Sequence, residues 1–310
     1  MKSASFVSIL AVAGLAVTHL PVAAQGAALA AAAATDVYKP AGQWTADYGD
    51  DYCRLSRNFS DGPNTMALAM ERIEPGPAMR LILVGPDLKT YRSAEEIGWH
   101  FTPSDAERKA RATHSETSDG KQWYNLGQVM IAPVPPPAPG VASPPYDRSA
   151  EQAAAKGKTG LLLDTGLAAP VQIETGDLAA PLAALQACAD DLAKSWGLDP
   201  AKLQTEKSPA VPDHGGVGWL PQGTIAFTDF AKLGGASNQV RLMVDATGKA
   251  TSCAIHWATL DATTNDKVCK ALMDNAKFTP ARDASGQPMP GYWVGSPMFL
   301  GPPMPAGRGR

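Results

Sequence analysis

Leu161-Leu162-Leu163-Asp164-Thr165-Gly166 is the stretch of this chain that comes nearest to a catalytic pattern, the apolar-apolar-Asp-Thr-Gly of retroviral-type aspartic proteases. Such enzymes need two of these loops, because two carboxylates must share one proton. Asp-Thr-Gly occurs once here, so a homodimer would have to supply the second copy. Leu167 stands where those enzymes place a small residue, and Pro170 cuts the next stretch short. Asp164-Thr165-Gly166 is therefore read as a turn between strands, a retropepsin-like protease being the alternative that keeps Asp164 catalytic. No Gly-x-Ser-x-Gly, His-Glu-x-x-His, phosphate loop or dinucleotide fingerprint is present. Asp190-Asp191 reads as a solvated helix face, and His256 beside Trp257 as a half-exposed strand position. The expectation is a protein that is not an enzyme and uses no cofactor.

Four cysteines, Cys53, Cys188, Cys253 and Cys269, are the other reactive residues. No CxxC pair occurs, and His100, His114, His214 and His256 are scattered singly, which argues against zinc. The compartment decides their reading. Met1-Lys2 gives a positive start, an apolar run extends from Phe6 to Val17, and Val22-Ala23-Ala24 offers a signal peptidase site, so residues 1–24 are expected to be a cleaved signal peptide. The run is shorter than the roughly 20 residues that cross a bilayer, and His19 and Pro21 interrupt it. An even cysteine count in an exported chain favours two disulfides. Of the three connectivities, the one closing each bridge within a domain is favoured: Cys53 with Cys188, and Cys253 with Cys269.

The elements that must position these residues fall into two groups. After an Ala-rich start (25–35), short apolar or alternating runs separated by Ser60-Asp61-Gly62-Pro63, Glu74-Pro75-Gly76-Pro77 and Gly85-Pro86-Asp87 indicate an antiparallel β region. Further strands are expected at 98–102, 127–132, 159–163 and 170–174. The Pro-rich tract 133–145 reads as a loop within this region. Leu178, Leu182, Leu185, Cys188, Leu192 and Trp196 recur at helical spacing, predicting one long helix over 178–196, capped by Asp177 and stopped by Gly197. Residues 36–203 are thus a β-rich domain with one long helix, 204–218 a linker, 219–300 a second domain and 301–310 a disordered tail. No second long apolar run follows the signal, so no stable membrane insertion is expected. A formal charge of −3 and a pI near 6.0 give no basic field for nucleic acid.

In the second domain, Val240, Leu242 and Val244 alternate up to a turn at Ala246-Thr247-Gly248-Lys249, and a second strand follows from Ala250 to Trp257. Val268, Cys269 and Leu272 then mark a helix, and a last strand is expected at 292–300. Three pieces carry a resemblance: Val240-Arg241-Leu242-Met243-Val244-Asp245-Ala246-Thr247-Gly248, Leu260-Asp261, and Phe278-Thr279-Pro280-Ala281-Arg282-Asp283-Ala284-Ser285-Gly286. In order and spacing they resemble the TonB C-terminal domain family. The resemblance implies an α+β module, a three-stranded antiparallel sheet with a helix, that binds a protein partner by strand addition at its sheet edge. It places partner binding on Tyr292, Trp293, Val294 and Ser296 of the last strand, which Pro297 marks as an edge. Some exported members carry cysteines where Cys253 and Cys269 stand. Trp219, Tyr292 and Trp293 are candidates for an exposed aromatic surface, with core packing as the rival for at least one.

The chain departs from the family at His256-Trp257-Ala258-Thr259, which bears on the loop geometry; a transducing member is held by an uncleaved anchor and a long Pro-rich linker, whereas here the leader is read as cleaved and the Pro-rich tract is too short to cross a periplasm. Force transduction therefore does not follow from the resemblance. The expectation is a periplasmic, or secreted, protein whose partner is another periplasmic or outer-membrane protein, TonB-dependent receptors included. An anchored TonB-type energy transducer is the alternative if the signal is not cleaved.

Overall fold

Period-two alternation runs through the first half of the chain and builds an eleven-stranded sheet. Strands β1 (Asp36–Pro40), β2 (Thr45–Tyr48), β3 (Cys53–Ser60), β4 (Thr65–Arg72) and β5 (Met79–Gly85) come first, followed by β6 (Ile97–Thr102), β7 (Arg108–Ala110), β8 (Thr113–Glu116) and β9 (Gln122–Val129). Helix α1 (Arg148–Ala155) precedes β10 (Gly160–Leu163) and β11 (Val171–Ile173). This computed structural model describes residues 35–301 except 87, 89, 91–95, 133, 135–145 and 234–236. The expected signal peptide, nearly all of the Ala-rich start, the Pro-rich loop apart from Val134, and all but Gly301 of the expected tail lie outside the described residues.

Across the sheet the order is β7-β6-β10-β11-β1-β3-β4-β5-β9-β8, with β2 also paired to β3. The two end strands, β7 and β8, are separated by only Arg111 and Ala112. Three Cα steps of 3.8 Å hold Ala110 and Thr113 within about 11 Å, so the sheet must curl until its ends approach each other. Its concave side is the first core: Leu55, Phe59, Leu68, Met70, Leu81, Leu83, Phe101, Leu161 and Ile173 are all buried there. On β3 the inward positions are Cys53, Leu55 and Phe59, alternating with Arg54, Ser56 and Asn58. The expected 127–132 strand is the end of β9, which stops at Val129. Strand β8 escapes sequence reading because all four of its residues are exposed and it carries no alternation.

Helix α2 (Ala179–Ser195) lies against β3 and closes the core with Leu182, Leu185, Cys188 and Leu192. The Asp177 carboxylate accepts the Ala179 N–H at 2.8 Å, satisfying one of the orphan donors of the first turn. Cys188 points inward and is bridged to Cys53. Mass mapping of oxidised protein is expected to return Cys53–Cys188 and Cys253–Cys269 peptides only; a bridge between Cys188 and either later cysteine would overturn this packing.

A short helix α3 (Pro200–Gln204) leads to a second core, which already includes Ala210. The segment expected to be a linker is therefore partly structural. Strand β12 (Val211–Pro212) pairs with β15 (Phe278–Thr279), and the Lys207 N–H donates to the Arg282 carbonyl. The centre of this part is a three-stranded antiparallel sheet, β14-β13-β18, made by β13 (Gln239–Val244), β14 (Ala250–His256) and β18 (Gly291–Gly295). Helix α4 (Ala262–Asn275) covers one face and is tied to β14 by the Cys253–Cys269 disulfide. Val240, Leu242 and Val244 meet Val268 and Leu272 in this core, with Trp219, Phe278 and Trp293 closing it at one end.

Two turns use the same chemistry. Asp245 accepts from the Thr247 and Lys249 N–H groups, and Asp283 accepts from those of Ser285 and Gln287. The second turn joins β16 (Ala281–Arg282) to β17 (Pro288–Met289). Gly248 has φ +86, and a Cβ there would stand 2.0 Å from the Phe278 carbonyl oxygen, so both backbone conformation and space demand glycine. The two Asp-x-x-Gly pieces of the sequence are this one turn, built twice.

Candidate functional site

Strand β18 pairs with β13 on one side and, among the described residues, with no strand on the other. Its edge is therefore a row of main-chain donors and acceptors facing away from the sheet. The strand stops at Gly295; Ser296 then caps a 3-10 turn, its hydroxyl accepting from Met298 N–H at 3.3 Å, with Pro297 in the first turn. The opposite edge of the sheet is β14.

Neither face of this sheet is open. Trp293 points to the α4 side and packs edge-on to Trp219 at 5.7 Å between centroids. Tyr292 points the other way, toward the first core: its hydroxyl donates to the Pro75 carbonyl, and its ring stands 5.6 Å from Trp196 at the end of α2. The partners of Tyr292 and Val294 across the ladder are Met243 and Arg241, so these four residues share the face that meets the first core. Of the two readings of the aromatic trio, packing is the one the structure bears out: Trp219 is only 6% exposed, and Tyr292 and Trp293 are half-buried on opposite faces. What β18 leaves unpaired, among the described residues, is its backbone edge.

The contact between the two cores, which belong to one compact unit, is a polar seam. Arg241 crosses it, donating to Asp51 at 2.8 Å and lying 4.0 Å over the Trp196 ring. Trp257 crosses it further along, donating its indole N–H to Glu71 and taking the Arg80 guanidinium over its ring at 4.3 Å. Glu71 is held from the first core as well, by Arg54 and Arg80, each at 2.6 Å. Trp257 and Asn238 face each other at the open end of the hairpin with φ +51 and +48, a left-handed conformation that non-glycine residues rarely adopt. The Asn238 side chain supports that bend by accepting from Thr259 and donating to Asn265.

Deeper in the first core, Arg72, Glu151, Tyr146 and Gln186 form a closed network. Arg72 donates to Glu151 and to the Tyr146 hydroxyl, and Glu151 also accepts from Tyr146 and from Gln186. Burial pushes the Tyr146 hydroxyl up to about 12, so it stays a neutral donor. Asp190 is not a solvated helix face: it takes both nitrogens of Arg148, tying α1 to α2, while Asp191 pairs with Lys194 on the surface.

Some polar groups in the seam have no partner. The Nε and Nη1 of Arg241 and the Nε2 of His256 are buried without one. His256 is 6% exposed, not half-exposed as its neighbours in sequence suggest. Burial, and then the charge of Arg241, depress it to about 4. Glu74 is half-buried at the turn between β4 and β5; desolvation pushes it up to about 7 against the pull of Arg72 and Arg241. Glu206, between α3 and β12, is pushed to about 7 by desolvation alone. Both carboxyls bear on Tyr292, whose own ionisation is raised by burial first and by these two groups next. Neither glutamate stands out in sequence. Glu74 sits in a Pro-Gly turn that reads as exposed, and Glu206 in a segment that reads as linker.

Asp164 closes β10, where its carboxylate accepts the N–H of the following Thr165 at 2.7 Å. The Thr165 carbonyl in turn accepts from Gly98 N–H at the start of β6. Thr165 and Gly166 form the turn that follows β10, with Gly166 at φ +84. Among the described residues, no group of three or more His, Cys, Asp or Glu is placed to hold a metal ion. No helix among them is long and apolar enough to cross a membrane. No protein-family model, curated protein or solved structure matches the chain.

Proposed function

We propose that the chain is a non-catalytic, periplasmic protein that captures a protein partner by strand addition along the free edge of β18. The observation that carries this reading is the strand order: among the described residues β18 is bonded on one side only, with Tyr292 and Trp293 already engaged on opposite faces. A partner would supply a strand, and main-chain hydrogen bonds would supply the affinity. The two disulfides fit an oxidising compartment. The resemblance of residues 240–248, 260–261 and 278–286 to the TonB C-terminal family points to the same binding mode. The partner is then a periplasmic or outer-membrane protein, with TonB-dependent receptors as the first class to test.

Val294→Pro and Ser252→Pro separate the two edges of the sheet. Each removes one main-chain donor, the first from β18 and the second from β14. Capture of a partner from a periplasmic extract, followed by crosslink mapping, is expected to fall at least about tenfold for Val294→Pro, the loss of roughly one well-made hydrogen bond. It should be retained by Ser252→Pro. Circular dichroism must show both variants folded. Undiminished capture by Val294→Pro, or crosslinks that map to β14, would refute the proposal.

A further inference from the structure

By composition β18 is a weak strand. It spans five residues and has glycine at both ends, where a side chain would collide: a Cβ on Gly295 would run into the Trp293 ring, and one on Gly291 would stand 2.9 Å from the Ala281 Cβ. Glycines give a strand nothing to pack and cost backbone entropy. Among the described residues its only ladder is the one to β13. Tyr292, Trp293 and Val294 must therefore hold it. Trp293 is taken into the second core, against Trp219 and Phe278. Tyr292 and Val294 face the seam.

The first core grips the strand from that side. The Tyr292 hydroxyl donates to the Pro75 carbonyl in the turn between β4 and β5, where Pro75 and Pro77 fix the backbone at two points and make a stiff acceptor. Its ring meets Trp196 edge-on at 5.6 Å. Trp196, the residue that ends α2, also lies 4.0 Å from the guanidinium of Arg241 on β13, the residue opposite Val294 in the ladder. Helix α2 is in turn bridged to β3 by Cys53–Cys188. One residue of the first core thus touches both strands of the ladder that carries the free edge.

We propose that the first core is a brace for the capture edge: Tyr292, held by the Pro75 turn and by Trp196, keeps β18 in the ordered form to which a partner strand can add.

This rests on the reading of β18 as the capture edge and gives residues 36–203 a task in it. An edge that frays has to be ordered when the partner arrives, and apparent affinity falls by the fraction of molecules in which it is ordered. A brace acts on the free protein, so its loss slows association. Loss of a main-chain donor on the edge hastens dissociation instead. Tyr292 and Trp196 are positioning residues, turned away from the partner.

The full chain is tested in two variants. Tyr292→Phe removes only the hydroxyl, and Trp196→Leu removes the ring on the first-core side. In amide hydrogen exchange, peptides covering residues 291–295 should lose protection about fivefold in each, roughly one hydrogen bond or ring contact, while those of α4 and β3 keep theirs. Periplasmic extract is the capture probe, and only crosslinks that map to residues 291–295 are counted. Tyr292→Phe should slow their accumulation about fivefold and leave release after dilution at the wild-type rate. Val294→Pro, run beside it, should hasten release. If Val294→Pro leaves those crosslinks undiminished, the capture edge itself is refuted, and exchange still decides whether the first core orders β18. Should Trp196→Leu fail to fold, Tyr292→Phe decides alone, since it removes one oxygen atom. Unchanged protection of 291–295, equal loss in α4 and β3, or faster release with unchanged accumulation in Tyr292→Phe would each overturn the brace.

Discussion

Arg72→Met is expected to destabilise the protein by about 3–5 kcal/mol, because it removes one partner of a fully buried ion pair and strands the other. Arg72 is 0% exposed and Glu151 1% exposed. Methionine fills most of the volume, so the cost is electrostatic rather than a cavity. Glu151 keeps the hydrogen bonds from Tyr146 and Gln186, which lessen but do not replace the lost charge. The pair as a unit is worth much less than this number suggests, since forming it required desolvating both ions. Arg72→Met with Glu151→Leu should accordingly recover most of the loss. Urea unfolding of the wild type and both variants decides the matter. If the single variant loses under 1 kcal/mol, the pair is exposed to water in solution and the packing of α1 on β4 is wrong.

The seam was hidden from sequence reading for a physical reason. Val240, Leu242 and Val244 announce that one face of β13 is buried, but periodicity does not say what covers the alternate residues. Gln239, Arg241 and Met243 look like a solvent face, yet Gln239 and Arg241 are buried and the first core covers Arg241. A polar seam between two cores writes the same pattern as a wetted surface. The same ambiguity misplaced His256 and made Tyr292 a candidate for exposure, while Trp293 lies on the α4 side, where the rival reading of core packing holds.

What was legible had local causes. Helix α2 follows from its apolar spacing, its Asp177 cap and Gly197 at φ +78. The two Asp-x-x-Gly turns follow from a side chain that bonds backbone two and four residues ahead. The closure of the large sheet, with β10 and β11 inserted between β6 and β1, depends on contacts far apart in sequence, and no short pattern encodes it.

The two disulfides should differ in worth, and the difference tests how the first core is held. Cys53–Cys188 spans a sequence separation of 135 and Cys253–Cys269 one of 16. By loop-closure entropy of the unfolded chain, the first contributes about 5 kcal/mol and the second about 3 kcal/mol. Burial pulls the same way, since Cys53 and Cys188 are almost wholly inside and alanines there leave small voids, whereas Cys253 and Cys269 are half-buried. Cys53→Ala with Cys188→Ala is therefore expected to lower unfolding free energy more than Cys253→Ala with Cys269→Ala, measured in the same denaturant series. The two losses should also differ in where they are felt. Helix α2 carries Gln186 and Asp190 and leads into Trp196, so freeing it from β3 should loosen the seam and reduce protection of Tyr292 in hydrogen exchange. Freeing α4 from β14 acts on the far face of the sheet and should leave that protection near wild type. Equal or inverted losses would mean that residual structure in the unfolded chain cancels the entropy of the long loop, and that the apolar face of α2 alone holds it on the sheet.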